Sequence, residues 1–332
     1  MRTPRGLFGG SCLVLLGCWG GPGEGRATGI GTSASASAGG SSSGMPGEDE
    51  GSEADGSSGT GTGPRFDVGA DSSGGLVGCS KVDFLFVVDD SQSMGDNQAN
   101  LIGSFPVFAA GLEASLQYAE DVHIGVVTTD EYGALAPACN EIGALVSRTS
   151  GAGSSMAECS ALFSGGSFMT QSDDLDEAFA CAAQVGTAGL NRERPIDALL
   201  EVVRKTYDGP GGCNEGFLRD DALLVAVIIS DEYDGPGDYE VDHSEGTPNE
   251  WYEEIVSLKG HPNNAAVVAL VAGEEFGCPP GEDESDGGGI VTFARRFGAN
   301  GLVSGICHDY DAVFSETIAL VENSCSGYHP PG

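Results

Sequence analysis

"FLFVVDDSQSM" occupies Phe84–Met94, and its reading decides the fold class. Phe84 to Val88 are all apolar, without the polar alternation of a half-solvated strand. Such a run fits a strand buried on both faces, as in a parallel sheet covered by helices. It stops abruptly on Asp89, Asp90, Ser91, Gln92 and Ser93, a cluster of small oxygen-bearing side chains. In an open parallel sheet, ligands bind at the carboxyl ends of strands, near the point where strand order reverses. Asp89-x-Ser91-x-Ser93 therefore presents a carboxylate and two hydroxyls where a ligand would sit. In a tight turn alternate residues can point the same way, so the spacing matters. Oxygen donors suit a hard cation: Mg²⁺ takes an octahedron of them at about 2.0–2.1 Å and usually keeps some water.

Outward from this stretch the same pattern recurs. Val82–Asp89, Val122–Asp130, Ala222–Asp231, Ala265–Gly273 and Gly301–His308 have the apolar runs of strands. Between and after them, Asn97–Tyr118, Asp173–Val185, Arg194–Tyr207, Asn249–Leu258, Gly289–Phe297 and Ala312–Ser324 have helical character. Pro106 is expected to kink or divide the first helix, because proline lacks the N–H and clashes with the preceding turn. Pro195 suits the first turn of its helix, and Asp173 and Asp174 suit a helix start, where the dipole favours acids. Glu131–Ser172, rich in Gly and Ser, is irregular and receives no strand. It is expected to be a partner-binding surface or a disulfide-stapled decoration. The alternation predicts an α/β domain: a Rossmann-like, doubly wound, mostly parallel sheet with helices on both faces. "ALLVAVIISD" is the strongest strand and ends on Asp231. As neighbours, the strands ending in Asp89 and Asp231 would face one crevice.

The chain before the domain has a different character. Residues 1–17 begin Met1-Arg2-Thr3-Pro4-Arg5, continue with a short apolar run from Leu7 and resemble a secretory signal. The run is too short to span a bilayer. "LLGC" ends at Cys18 and resembles a bacterial lipobox, which would make Cys18 the lipidated first residue; an ordinary signal cleaved nearby is the alternative. Trp19 follows, where retention in the inner membrane calls for Asp, so the expected place is the outer membrane, facing periplasm or surface. Residues 18–78 are dominated by Gly, Ser, Ala and Thr, too apolar-poor to offset their ordering entropy. About 60 such residues reach on the order of 40–45 Å as a flexible tether. Residues 79–332 form one domain's worth of chain.

The 332 residues carry 50 acids and 14 bases, a formal charge of −36. That balance argues against a nucleic-acid partner, which needs a basic face. It suits a cation, a basic partner or simple solubility. Ten cysteines are present. Setting aside Cys12 and Cys18 leaves an even number, as expected for disulfides in an exported chain. No CxxC pair occurs, which argues against a zinc site. Cys79 and Cys325 bracket the domain and are expected to join its ends. Cys278 and Cys307 each follow a strand and form the second expected pair.

The strand followed by "DDSQS" resembles the von Willebrand factor A family and its metal-ion-dependent adhesion site, with the signature D-x-S-x-S. The resemblance covers most of Lys81–Cys325. It implies that Ser91 and Ser93 ligate the ion directly and that Asp89 acts mainly through water. "VAVIISDE" is similar to the family's later strand ending in a site aspartate, here Asp231. The family also uses a threonine, matched by Thr187 in "GTAG". The implied ion is Mg²⁺ or Mn²⁺, with Ca²⁺ as the alternative, and its sixth position is often filled by a carboxylate from a partner. Gln92 stands where many members have Gly, and Thr187 lies farther from the following helix than usual. The implied function is metal-dependent binding of a protein or other acidic ligand by a cell-envelope lipoprotein, joined to the membrane by its lipid alone. The rival is a metal- and disulfide-stabilised structural domain whose ion is saturated internally, for instance by Glu232.

Other signals are weaker. The loop Asp231–His243 offers Asp234, Asp238 and Glu240 to calcium, but it lacks the EF-hand pattern and is expected to be a solvated acidic loop, with His243 a surface residue. "GSSSG" (Gly40–Gly44) matches the hydrolase elbow in letters but has no strand before it. None of the five histidines sits in a triad or metalloprotease context. Trp251 and Tyr252, at the start of a helix, are expected to pack in the core.

Overall fold

The computed structural model describes residues 78–115, 121–189, 193–235, 243–280 and 287–331. Cys18, the tether, Asp238 and Glu240 lie outside the described residues. Six strands form one sheet: β1 (Lys81–Val88), β2 (Asp121–Thr128), β3 (Met169–Thr170), β4 (Leu223–Ser230), β5 (Ala265–Val271) and β6 (Gly301–Gly305). Their order is β3-β2-β1-β4-β5-β6. All pairings are parallel except β2 with β3. The chain winds from β1 outward to β3, then returns to place β4 on the other side of β1. The switch point therefore lies between β1 and β4. This is the expected Rossmann-like α/β architecture.

Among the described residues, six helices cover the sheet: α1 (Gly95–Ser115), α2 (Leu175–Ala183), α3 (Pro195–Val203), α4 (Pro248–Lys259), α5 (Gly288–Arg296) and α6 (Tyr310–Ser326). Successive strand residues face opposite sides, and β1 shows the consequence. Phe84 and Phe86 join one core with Phe105 and Phe108 of α1, Phe179 of α2 and Phe314 of α6. Leu85 and Val87 join the other, with Leu199 of α3, Trp251 of α4 and Phe293 of α5. β4 is buried along its whole length, which explains its unbroken hydrophobicity. Trp251 is buried and donates its indole N–H to the Glu245 carbonyl at 2.6 Å, while Tyr252 packs edge-on against Phe297.

α1 runs through Pro106 without dividing, which leaves a kink as the remaining form of the expected effect. Pro106 is on the exposed side. Leu101, Phe105, Phe108 and Leu112 pack into the core on the other, and Phe105 stacks on Phe179 with centroids 3.6 Å apart. That packing outweighs the roughly 3 kcal/mol an interior proline costs. The stretch 131–172 contains the antiparallel edge strand, β3, paired through His123↔Thr170 and Ile124↔Met169. The same stretch is stapled at two places: Cys139 pairs with Cys213, and Cys159 with Cys181 of α2. Cys79 pairs with Cys325, and Cys278 with Cys307. Among the described residues no helix is long and apolar enough to cross a membrane.

Candidate metal centre

β1 and β4 lie side by side with Val88 opposite Ile229. The pairing continues one residue further, since the Asp89 N–H donates to the Ile229 carbonyl at 3.1 Å. Both acidic strand ends thus reach the same edge at the switch point. Asp89 is fully buried. Its Oδ1 accepts the Ser91 N–H at 2.8 Å, and its Oδ2 accepts the Ser230 hydroxyl at 2.6 Å. The second of these bonds fastens the end of β1 to the residue preceding Asp231, which is itself fully buried.

The turn after Asp89 sorts its side chains by alternation. Ser91 is buried, Gln92 is exposed, and Ser93 is half-buried. The Ser91 and Ser93 hydroxyls lie 3.2 Å apart. Adjacent ligands of an octahedron with 2.0–2.1 Å bonds are about 2.9 Å apart, so the two hydroxyls are spaced nearly as neighbouring vertices. The donor set fits a hard cation: uncharged hydroxyls at the turn, with carboxylates at the two strand ends.

Thr187 comes to this turn from a remote part of the chain. Its methyl lies beside Gly95, the first residue of α1, where an added Cβ would stand 3.6 Å from it. Gln98 of α1, only 2% exposed, makes the connection. Its side-chain amide donates to the Asp89 carbonyl at 2.9 Å and to the Gly186 carbonyl at 2.7 Å, while its oxygen accepts the Gly186 N–H at 3.1 Å. The Thr187 N–H is held by the Ala152 carbonyl at 2.9 Å. Gly186 has φ of +98°, and a Cβ there would lie 2.7 Å from the Ala152 oxygen, so the approach requires glycine. Asp89, Ser91 and Ser93 thus share one turn, with Asp231 at the neighbouring strand end; Thr187 lies beside the start of α1 with its methyl toward Gly95 and its hydroxyl toward Gly153. Tyr310, buried at the start of α6, faces Asp231 closely enough that burial and that charge together hold its hydroxyl above its ordinary range.

Asp90 points elsewhere. One carboxylate oxygen from each of Asp90, Asp130 and Glu193 lies within 4.8 Å of the other two, and all three residues are buried. Glu193 also accepts a hydrogen bond from the Thr129 hydroxyl. Sequence reasoning missed this trio. The rule that selected Asp231, a carboxylate at a strand's carboxyl end, applies equally to Asp130 after β2. Glu193, in the loop before α3, carries no local signal.

The loop after Asp231 differs from expectation at Asp234. It is fully buried rather than solvated. Its carboxylate accepts the Ile196 N–H at 3.1 Å, the Ser244 N–H at 2.8 Å and the Ser244 hydroxyl at 2.7 Å. These donors anchor the start of α3, and burial pushes its carboxyl up to about 6. His243 is half-buried with its ring edge-on to Tyr233, not a free surface side chain.

Burial dominates the titration of the strand-end carboxyls. It pushes Asp89 up to about 6, against the hydrogen bonds from Ser230 and Ser91. It pushes Asp90 up to about 8, helped by the charges of Asp130 and Asp89. Glu193 rises to about 11 from burial and the charges of Asp89 and Asp90. A carboxyl raised on folding stabilises the fold below its unfolded value and loses that contribution as pH rises through its folded value. The metal-free protein should therefore lose stability progressively as pH rises from about 4 toward 11. The rise of Asp89 from 3.8 to about 6 alone corresponds to on the order of 3 kcal/mol. Thermal melts in chelator should show a falling Tm over this range, and Asp89→Asn should flatten the part between pH 4 and 6. A Tm independent of pH would contradict this.

No family model and no curated protein matches the chain. Among solved structures, proximal thread matrix protein 1 from the mussel byssus is similar at 12% identity, with a TM-score of 0.40. The match covers 74% of this chain and 49% of that one, so the chain spans about half the length of that structure's chain.

Proposed function

We propose that residues 79–332 form a von Willebrand factor A-type domain that holds Mg²⁺ or Mn²⁺ and, through it, a carboxylate-bearing protein or other acidic ligand. The observation that carries this reading is the pair of hydroxyls on Ser91 and Ser93, 3.2 Å apart at the β1/β4 switch point. Asp89 has each oxygen engaged by an internal donor, which suits contact with the ion through water. Thr187 completes the turn, and Asp231 supplies charge from the neighbouring strand. Neutral hydroxyls closest to the ion leave it electron-poor, so that the bound ion provides a Lewis-acidic position for an incoming carboxylate.

The charge of −36 bears on how a partner arrives. An acidic ligand gains nothing from long-range attraction, so binding is short-ranged or relies on basic groups around the ligand's carboxylate. Lipidation at Cys18 and the tether of residues 18–78 would display the domain from the outer membrane. Two results test the reading: ion binding that depends on Asp89, and displacement of ion-bound water by an aspartate-bearing peptide. Ion binding without displacement would favour the internally saturated, structural alternative.

A further inference from the structure

The neighbouring aspartates at the end of β1 serve different surroundings. Asp89 is engaged by Ser91 and Ser230. Asp90 joins Asp130 and Glu193, which lie just after β2 and in the loop before α3. Backbone bonds hold the segments that carry them. The Arg194 N–H donates to the Thr129 carbonyl at 2.8 Å, and the Gly189 N–H to the Asp90 carbonyl at 2.9 Å. A Cβ on Gly189 would stand 2.7 Å from the Asp90 carboxyl carbon, so the 186–189 loop lies directly against this side chain. Among the described residues, the trio is buried and held by backbone contacts.

Two of its oxygens lack donors. Asp90 Oδ1 and Glu193 Oε1 are buried and accept no hydrogen bond. Asp90 is 2% exposed and Glu193 5%. Once ionised, a buried carboxylate oxygen with nothing to accept is costly, and three gathered carboxylates repel one another. A cation removes both costs at once. Three oxygens no more than 4.8 Å apart leave a point about 2.8 Å or less from each, so that a small adjustment reaches the 2.3–2.6 Å of Ca²⁺, which favours several carboxylates and tolerates irregular geometry. We propose that Asp90, Asp130 and Glu193 bind a second divalent cation, of the calcium class, beside the turn that carries Ser91 and Ser93.

The test counts ions on the full chain. Protein stripped with chelator is dialysed against Ca²⁺ with Mg²⁺, and bound metal is measured by mass spectrometry. The same is done for Glu193→Gln, Asp130→Asn and Ser93→Ala, with circular dichroism confirming the fold of each. Glu193→Gln, isosteric and uncharged, should lose one ion per chain, chiefly Ca²⁺, and Asp130→Asn should do the same. Ser93→Ala should keep that ion and weaken the other. If Ser93→Ala changes nothing while Glu193→Gln loses an ion, the adhesion-site reading fails and the second site stands. If folded Glu193→Gln and Asp130→Asn bind as much metal as the wild type, the second site is overturned. Should one variant fail to fold, the other decides.

Discussion

Gln98→Leu should destabilise the domain by about 3–5 kcal/mol and weaken ion binding at the Asp89 turn by about 10–100-fold. Gln98 is buried, and its amide makes three hydrogen bonds, to Asp89 and to both backbone groups of Gly186. Leucine is close in size, so little packing is lost. What remains is two carbonyls and an N–H buried without their partner. Each unsatisfied group costs about 1–3 kcal/mol, reduced by whatever relaxation lets water in. The functional loss has a separate cause. Gln98 is the side chain that holds the 186–187 loop against the end of β1, and groups that orient ligands from behind typically matter 10–100-fold to affinity. Urea denaturation in chelator measures the first effect, and Mn²⁺ titration of folded variant the second. Unchanged affinity in the variant would show that Thr187 contributes nothing to the ion.

The second large effect concerns the bracket around the domain. Cys79 precedes β1, Cys325 lies near the end of α6, and both are buried. Their bond closes a loop with a sequence separation of 246, against 22 for Cys159–Cys181. In the chain-entropy account, the longer loop contributes about 5 kcal/mol and the shorter about 3 kcal/mol. The double replacement Cys79→Ser with Cys325→Ser should therefore be the more damaging, lowering stability by roughly 5 kcal/mol in denaturant titrations. It also releases the end of α6, the helix that begins with Tyr310 beside Asp231. The reverse ranking would mean that the stapled stretch 131–172, rather than the bracket, limits stability.

Much of the fold is visible in the sequence because burial on two faces imposes a signal that survives without context. β1, β4 and β5 are near-continuous apolar runs for this reason. The Asp89 turn is legible for a related one: a strand that stops abruptly on polar residues marks the carboxyl edge of a sheet. β3 is invisible because two residues cannot show alternation. Pro106 does not divide its helix because its local cost is opposed by a phenylalanine cluster drawn from three helices and β1. Gln98 looks like an ordinary helix residue; only the arrival of Gly186 gives it a task. Asp234 sits in an acidic loop that composition assigns to solvent, and its burial follows from the start of α3 needing an acceptor. Glu193 meets Asp90 and Asp130 only once β1, β2 and α3 are in place.

The most direct test is a calorimetric titration of the oxidised protein with Mg²⁺ and with Mn²⁺, run beside Asp89→Ala. The predicted result is that the wild type binds an ion that the folded Asp89→Ala variant has lost. Identical isotherms for the two proteins, or no ion bound by the wild type, would contradict a metal centre at the end of β1.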